Sequence, residues 1–329
     1  MSATRPVDLD DHPLMQQNYI LPTPSIDELY HRVRRLVTLR VPGAIIFAYP
    51  RYGKTYAIRY LTRYLRSEMP TLVIVSVGCR KSKSHSEDLF FSTLLEATGH
   101  KAPETGTIAK KRRKLLERLT ELVDRSKFKF LILFADEAQR MDSIEYEWLR
   151  DVHDELERRG IRMITLLFGQ PELMHQKSAF REARQTQIVA RFMIDEIPFR
   201  GVRDVDDLAT CLAAYDATVF PEGSEWTYTR FFFPAAFENG FRLVEQATYI
   251  WSAFQHAHET AKSDYGLDIP MQYLARAVEI GFIDYSKDDS AEFSFTPTIW
   301  ESCVAQSNFV SAQEELRLIK KDNLHSLDD

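Results

Sequence analysis

The sequence predicts an α/β fold, a five-stranded parallel sheet flanked by helices and followed by a small helical domain. Three observations carry this. Short apolar runs at 44–48, 71–77, 128–135, 161–168 and 192–198 alternate with helix-period stretches, the pattern of β-α-β units. The third run, FKFLILFA, is apolar almost throughout, as a strand covered on both faces must be. After Phe199 the strand signal stops, and helical stretches follow at 203–214, 224–236, 240–262 and 270–281. The expected organisation is an arm over 1–24, an α/β domain over 25–200, a helical domain over 201–284 and a tail over 285–329.

In chain order, residues 1–22 are polar and without period, which reads as an arm. Ser25 with Glu28 three residues on is a capping-box pattern, opening a helix whose apolar positions Ile26, Leu29, Tyr30, Val33, Leu36 and Val37 share one face. The first strand leads into GAIIFAYPRYGKTY (43–56) and a helix to about Ser67. TLVIVSV follows as a valine-rich strand, and then the basic loop Arg80-Lys81-Ser82-Lys83-Ser84. Helices are expected over 88–97, 108–125 and 143–159, the last ended by Gly160. The tail shows little period until a short amphipathic segment at Ala312–Lys320.

The 43–56 stretch carries the chemistry. A strand, an irregular loop and Gly53-Lys54-Thr55 at a helix start form a P-loop, in which backbone N–H groups cradle phosphate. The loop residues Tyr49, Pro50, Arg51, Tyr52 and Gly53, with Lys54, Thr55 and Tyr56, are the expected nucleotide contacts. Lys54 supplies a charge to the β/γ-phosphates, and the Thr55 hydroxyl a ligand for Mg²⁺. The pattern is imperfect: Ala48 stands where glycine is usual, and Arg51 replaces a second glycine, so Arg51 is expected to fit without a left-handed backbone. The third strand delivers Asp136-Glu137 to its carboxyl end. On a parallel sheet that end meets the P-loop, so Asp136 is expected to hold Mg²⁺ and Glu137 to polarise the attacking water. ATP and Mg²⁺ are therefore the expected cofactors.

With these motifs in place the chain resembles the AAA+ ATPases. That resemblance implies three further roles. Gln170, after the fourth strand, falls where the superfamily places a polar sensor. Arg191, in QIVARF, falls where it places an arginine finger acting on a neighbouring subunit, with Arg181 and Arg184 as rivals. Arg242, in ENGFRLV, matches the lid arginine that reaches the phosphates. Within the superfamily the chain is most similar to the TnsC/TniB transposition regulators. The ILPTPSIDELYHRVRRLV lead-in, AYPRYGKT, FADEAQRM, FGQPEL and VARF carry the likeness over about residues 20–200, extending to 260 in the lid. The DEAQ and G-x-PEL wording is shared with related bacterial ATPases. The resemblance implies an ATP-dependent homo-oligomeric ring or filament on duplex DNA, linking a TniQ-like target selector to a transposase, with slow hydrolysis as a disassembly switch.

Composition narrows the alternatives. No apolar run approaches the roughly eighteen residues that span a bilayer, and MSATRPVDLDD lacks a secretory profile, so a cytoplasmic setting is expected, and the resemblance implies a bacterial one. Three separate cysteines and the pair His256 and His258 make no metal or disulfide pattern. The net charge of −6 excludes a uniformly basic nucleic-acid binder but leaves room for a local patch. Arg80, Lys81 and Lys83, then Lys110 and Lys111, are the candidate DNA contacts. They suit non-specific backbone binding, although a solvated helix face also explains the Lys110–Lys114 run. A general AAA+ loader or remodeller, and a nucleotide-binding adaptor without DNA contact, remain as alternatives. The aromatic stretch from Phe293 to Trp300, with Phe309, could dock a partner or pack on its own lid.

Overall fold

A computed structural model describes residues 5–81, 86–263 and 265–325. In chain order the first half contains α1 (Pro24–Leu39), β1 (Gly43–Phe47), α2 (Lys54–Glu68), β2 (Val73–Gly78), α3 (Glu87–Ala97), α4 (Ile108–Asp124), β3 (Phe130–Asp136), α5 (Ser143–Arg158), β4 (Arg162–Gly169), α6 (Glu172–Glu182), α7 (Thr186–Phe192) and β5 (Asp195–Pro198). The second half is helical: α8 (Val205–Ala217), α9 (Tyr228–Phe232), α10 (Pro234–Glu238), α11 (Ala247–Thr260), α12 (Met271–Tyr285), α13 (Pro297–Gln306) and α14 (Phe309–His325). The chain divides into an α/β unit, Glu28–Pro50 with Lys54–Phe199, and a helical unit comprising the described residues up to Asp27, Arg51–Gly53 and the chain from Arg200 on.

In the α/β unit the five strands are all parallel in the order β2-β3-β4-β1-β5. β3 is buried from Phe130 to Ala135, and β4 from Met163 to Gly169. Such runs are stable only in the middle of a sheet with helices on both faces. Because the strands are parallel, the loops after β1, β2, β3 and β4 all leave from one edge. β4 lies between β1 and β3, so the P-loop and Asp136-Glu137 flank it.

Side-chain caps fix the helices around this sheet. Ser86 caps α3, Thr107 caps α4, and Asp142 with Glu145 makes a capping box at α5. α1 departs from expectation. It begins at Pro24, the first-turn position proline favours, and Thr23 rather than Ser25 accepts the Ile26 N–H. The Ser25 hydroxyl instead donates to the Gly201 carbonyl. Phe192 ends α7 and does not begin β5, which starts at Asp195.

In the helical unit, Pro234 divides the expected 224–236 helix into α9 and α10, since proline cannot donate the helical hydrogen bond. Burial bears on both ends of the chain. The polar N-terminal stretch is held in place: His12 and Leu14 are fully buried, and the His12 ring lies among Phe220, Tyr228, Phe231 and Phe232. In the C-terminal stretch Phe295, Trp300 and Phe309 are core residues of this unit, Trp300 donating to Gln246 Oε1. Of the two readings left open for this stretch, these three side chains follow the second, packing on their own unit.

Candidate active site

The residues at the carboxyl edge of the sheet come together around one hydrogen bond. Thr55 Oγ1 donates to Asp136 Oδ2 at 2.7 Å, joining the first turn of α2 to the end of β3. Asp136 Oδ1 accepts the Glu137 backbone N–H at 3.0 Å. Lys54 is 5% exposed, and its ammonium donates to the Ala48 and Tyr49 carbonyls at 2.8 and 3.0 Å. Burial lowers its pKa, an effect opposed by the negative charges of Glu137, Asp136 and Glu172. Lys54 thus sits where an anionic ligand would stabilise its charged form.

Three backbone conformations in the site are left-handed. Gly53 has φ +97°, which glycine adopts without strain. Arg51 has φ +72°, against the expectation that it would avoid that region; the turn geometry imposes the conformation that glycine supplies in other P-loops. Tyr52 is buried, while Pro50, Arg51, Thr55 and Tyr56 are exposed. Glu137 is also left-handed, at φ +57°. For a non-glycine residue this costs on the order of 1–2 kcal/mol, and it turns the carboxylate out of the strand direction. Strain of this kind persists at functional sites where surrounding contacts over-determine it.

Those contacts come from residues that the sequence reading passed over. Gln139 Nε2 donates to Glu137 Oε2 at 3.0 Å, and Arg140 pairs with the same carboxylate at 3.2 Å. Gln139 Oε1 accepts the Gln170 backbone N–H at 3.2 Å, and the Gln176 amide donates to the Gln139 and Met141 carbonyls. Gln139 therefore ties Glu137 to the end of β4. Gly169 permits it: a Cβ there would lie 2.6 Å from Gln139 Oε1 and 2.5 Å from Leu173. The signal was in the DEAQR run, where the amide falls two residues past the glutamate.

The remaining candidates make contacts of their own or are exposed. Arg191 pairs with Asp154 at 2.6 Å within its own chain, while Arg181 and Arg184 are exposed. In the helical unit Arg242 stacks on Phe237 at 3.6 Å and donates to the Phe237 and Phe241 carbonyls. Arg80 and Lys81 are exposed where β2 ends, and Lys110 is exposed in the first turn of α4. Lys83 lies outside the described residues. Lys111 is not open to a phosphate: it is 1% exposed, its ammonium 2.8 Å from both Asp88 and Ser92. The helix period turned this lysine of the basic run inward.

Residues 43–176 match the family described as AAA domain. The matched segment contains β1 with its P-loop, β3 with Asp136-Glu137 and β4. No protein with a curated description matches the sequence. Among solved structures the chain is similar to the ORC1 protein of Aeropyrum pernix in complex with DNA, at 11% identity and a TM-score of 0.53, covering 88% of this chain and 66% of that one. It is also similar to the ORC2 protein of Aeropyrum pernix in its ADPNP-ADP complexes, at 16% identity, 90% and 71% coverage and a TM-score of 0.49. A third is CDC6P from Pyrobaculum aerophilum, at 14% identity, 93% and 85% coverage and a TM-score of 0.46. The chain thus spans just under two thirds of the first of these structures. The likeness to ORC1 is one of fold, the AAA+ fold of a five-stranded parallel sheet flanked by helices with a helical C-terminal region. Among the described residues no helix is long and apolar enough to cross a membrane.

Proposed function

We propose that this chain is a Mg²⁺-dependent ATPase that assembles on duplex DNA as a homo-oligomer and regulates DNA transposition, linking a TniQ-like target selector to a transposase. The observation that carries the ATPase part is the Thr55–Asp136 hydrogen bond. A hydroxyl and a carboxylate 2.7 Å apart are a donor set suited to Mg²⁺, which takes one or two protein ligands and completes its shell with phosphate and water. When bound, Mg²⁺ would neutralise charge on the β- and γ-phosphates.

The protein's own residues do the rest. The N–H groups opening α2 and the Lys54 ammonium hold the phosphates. Glu137, oriented by Gln139 and Arg140, accepts a proton from the attacking water. Gln139 also couples Glu137 to Gln170, so the sensor role proposed for Gln170 runs through its backbone N–H. Arg191 as a finger for a neighbouring subunit requires the Asp154 pair to open on assembly. Arg181 and Arg184 need no such release. The exposed Arg80 and Lys81 suit backbone phosphates, with no reading of base sequence.

A second reading, an AAA+ loader or remodeller, is favoured by the fold likeness to an ORC1 protein solved with DNA. Electron microscopy of the purified chain with duplex DNA in ATP, ADP and no nucleotide tests the first reading. Rings or filaments formed only with DNA and ATP support it, as does a Glu137→Gln variant that holds them longer. Particles that stay monomeric in every condition overturn it.

A further inference from the structure

A groove of the α/β unit, about 650 Å³, opens beside the active site and is lined by Thr55, Arg59, Arg63, Arg66, Gly78 and Asp136 among others. Its long wall is one face of α2. Arg59, Arg63 and Arg66 recur at helix spacing on that face and are exposed, with exposed Tyr56 one turn earlier and 5.5 Å from the Arg59 guanidinium.

Half of the arginines of this unit are paired with carboxylates, including Arg34, Arg112, Arg118, Arg140, Arg150 and Arg191. Arg59 and Arg63 have no carboxylate partner among the described residues, and Arg66 donates only to the Ile74 carbonyl, at 3.3 Å. The one carboxylate in the groove, Asp136, already accepts from Thr55 and from the Glu137 N–H. The groove therefore carries an uncompensated positive stripe.

We infer that this stripe is a track for the sugar-phosphate backbone of duplex DNA, running along α2 to the exposed Arg80 and Lys81. Seven residues of helix, from Arg59 to Arg66, rise about 10 Å. One strand of a duplex presents a phosphate every ~3.4 Å of its axis, so three guanidinium groups match about three phosphates. An open groove admits a polymer where an enclosed cavity would select a small molecule. Arginine suits the task because its planar fork grips phosphate oxygens in pairs. The track begins at Thr55 and Asp136, so DNA held there lies against the residues that read the nucleotide.

This inference rests on the proposal that the chain binds DNA, and one salt titration separates the two. Anisotropy of a labelled duplex is followed with the full chain in ATP and Mg²⁺, wild type beside Arg59→Gln with Arg63→Gln. Arg66 is kept because it supports a backbone carbonyl. Each lost phosphate contact flattens the slope of log affinity against log salt by about 0.9. The expected result is a slope shallower by about 2, with weaker binding at every salt concentration and unchanged DNA-independent ATP turnover and melting temperature. If wild type binds but the variant keeps its affinity and slope, whatever its oligomer size, the track is overturned. If wild type itself does not bind, the DNA-binding proposal fails and this inference with it.

Discussion

The Thr55 hydroxyl donates to the Asp136 carboxylate at 2.7 Å, across a sheet in which β4 separates the strands that deliver them. The contact exists because β1 and β3 are parallel and end at the same edge. Either partner's loss should separate nucleotide binding from hydrolysis. For Thr55→Ala or Asp136→Asn, we expect ATP turnover to fall at least 100-fold, in line with the loss of one catalytic electrostatic group. The Mg²⁺ dependence of nucleotide affinity should flatten. Titrating fluorescent ATP with and without Mg²⁺ reads the second effect independently of rate.

Gly169 is the quieter constraint on the same site. Alanine there puts a Cβ within 3 Å of Leu173 and Gln139 Oε1. Overpacking of this kind costs about 1–3 kcal/mol, and the mobile party is the Gln139 amide that orients Glu137. Gly169→Ala should therefore lower the denaturation midpoint modestly and lower kcat with little change in nucleotide affinity. A variant with wild-type kcat would show that Gln139 does not position the glutamate.

Lys111 separates structure from DNA contact within the basic run. Its buried ammonium satisfies Asp88 and Ser92, and Asp88 is itself half-exposed. Lys111→Met should cost about 2 kcal/mol of stability, while the salt slope of DNA binding stays unchanged. Lys81→Ala should do the reverse.

The buried histidines set an acid limit. Burial lowers the His12 pKa to about 4, and burial together with the Arg191 charge lowers that of His153 to about 3. The ordinary value of 6.5 applies when each is unfolded, so below it the unfolded state binds more protons. Their contribution is fully present above about pH 6.5 and is lost as pH falls towards 4 and then 3. Chemical denaturation between pH 7 and 4 should show that decline, and His12→Phe should flatten its upper part.

How much of this was legible beforehand follows from where the physics is local. The five strands, the P-loop and Asp136-Glu137 were readable because apolar runs and a phosphate loop leave contiguous patterns. Gln139 was missed because its role depends on β4 lying beside β3, a relation between distant segments. Lys111 shows the same limit: in a run of charges, only the helix phase relative to α3 decides which lysine is buried. The Arg51 conformation was hidden because glycine's absence hid the left-handed turn. The buried tail residues Trp300 and Phe309 were ambiguous because aromatic content alone does not distinguish a core from a docking surface.

The most direct test is phosphate release by the full chain with duplex DNA, ATP and Mg²⁺, wild type beside Glu137→Gln, with assembly size read on the same samples. The expected result is Mg²⁺-dependent release that drops about 100-fold or more in the variant, while its assemblies on DNA persist. Equal release by the two proteins would contradict the role given to Glu137 and, with it, the use of hydrolysis to end the DNA-bound state.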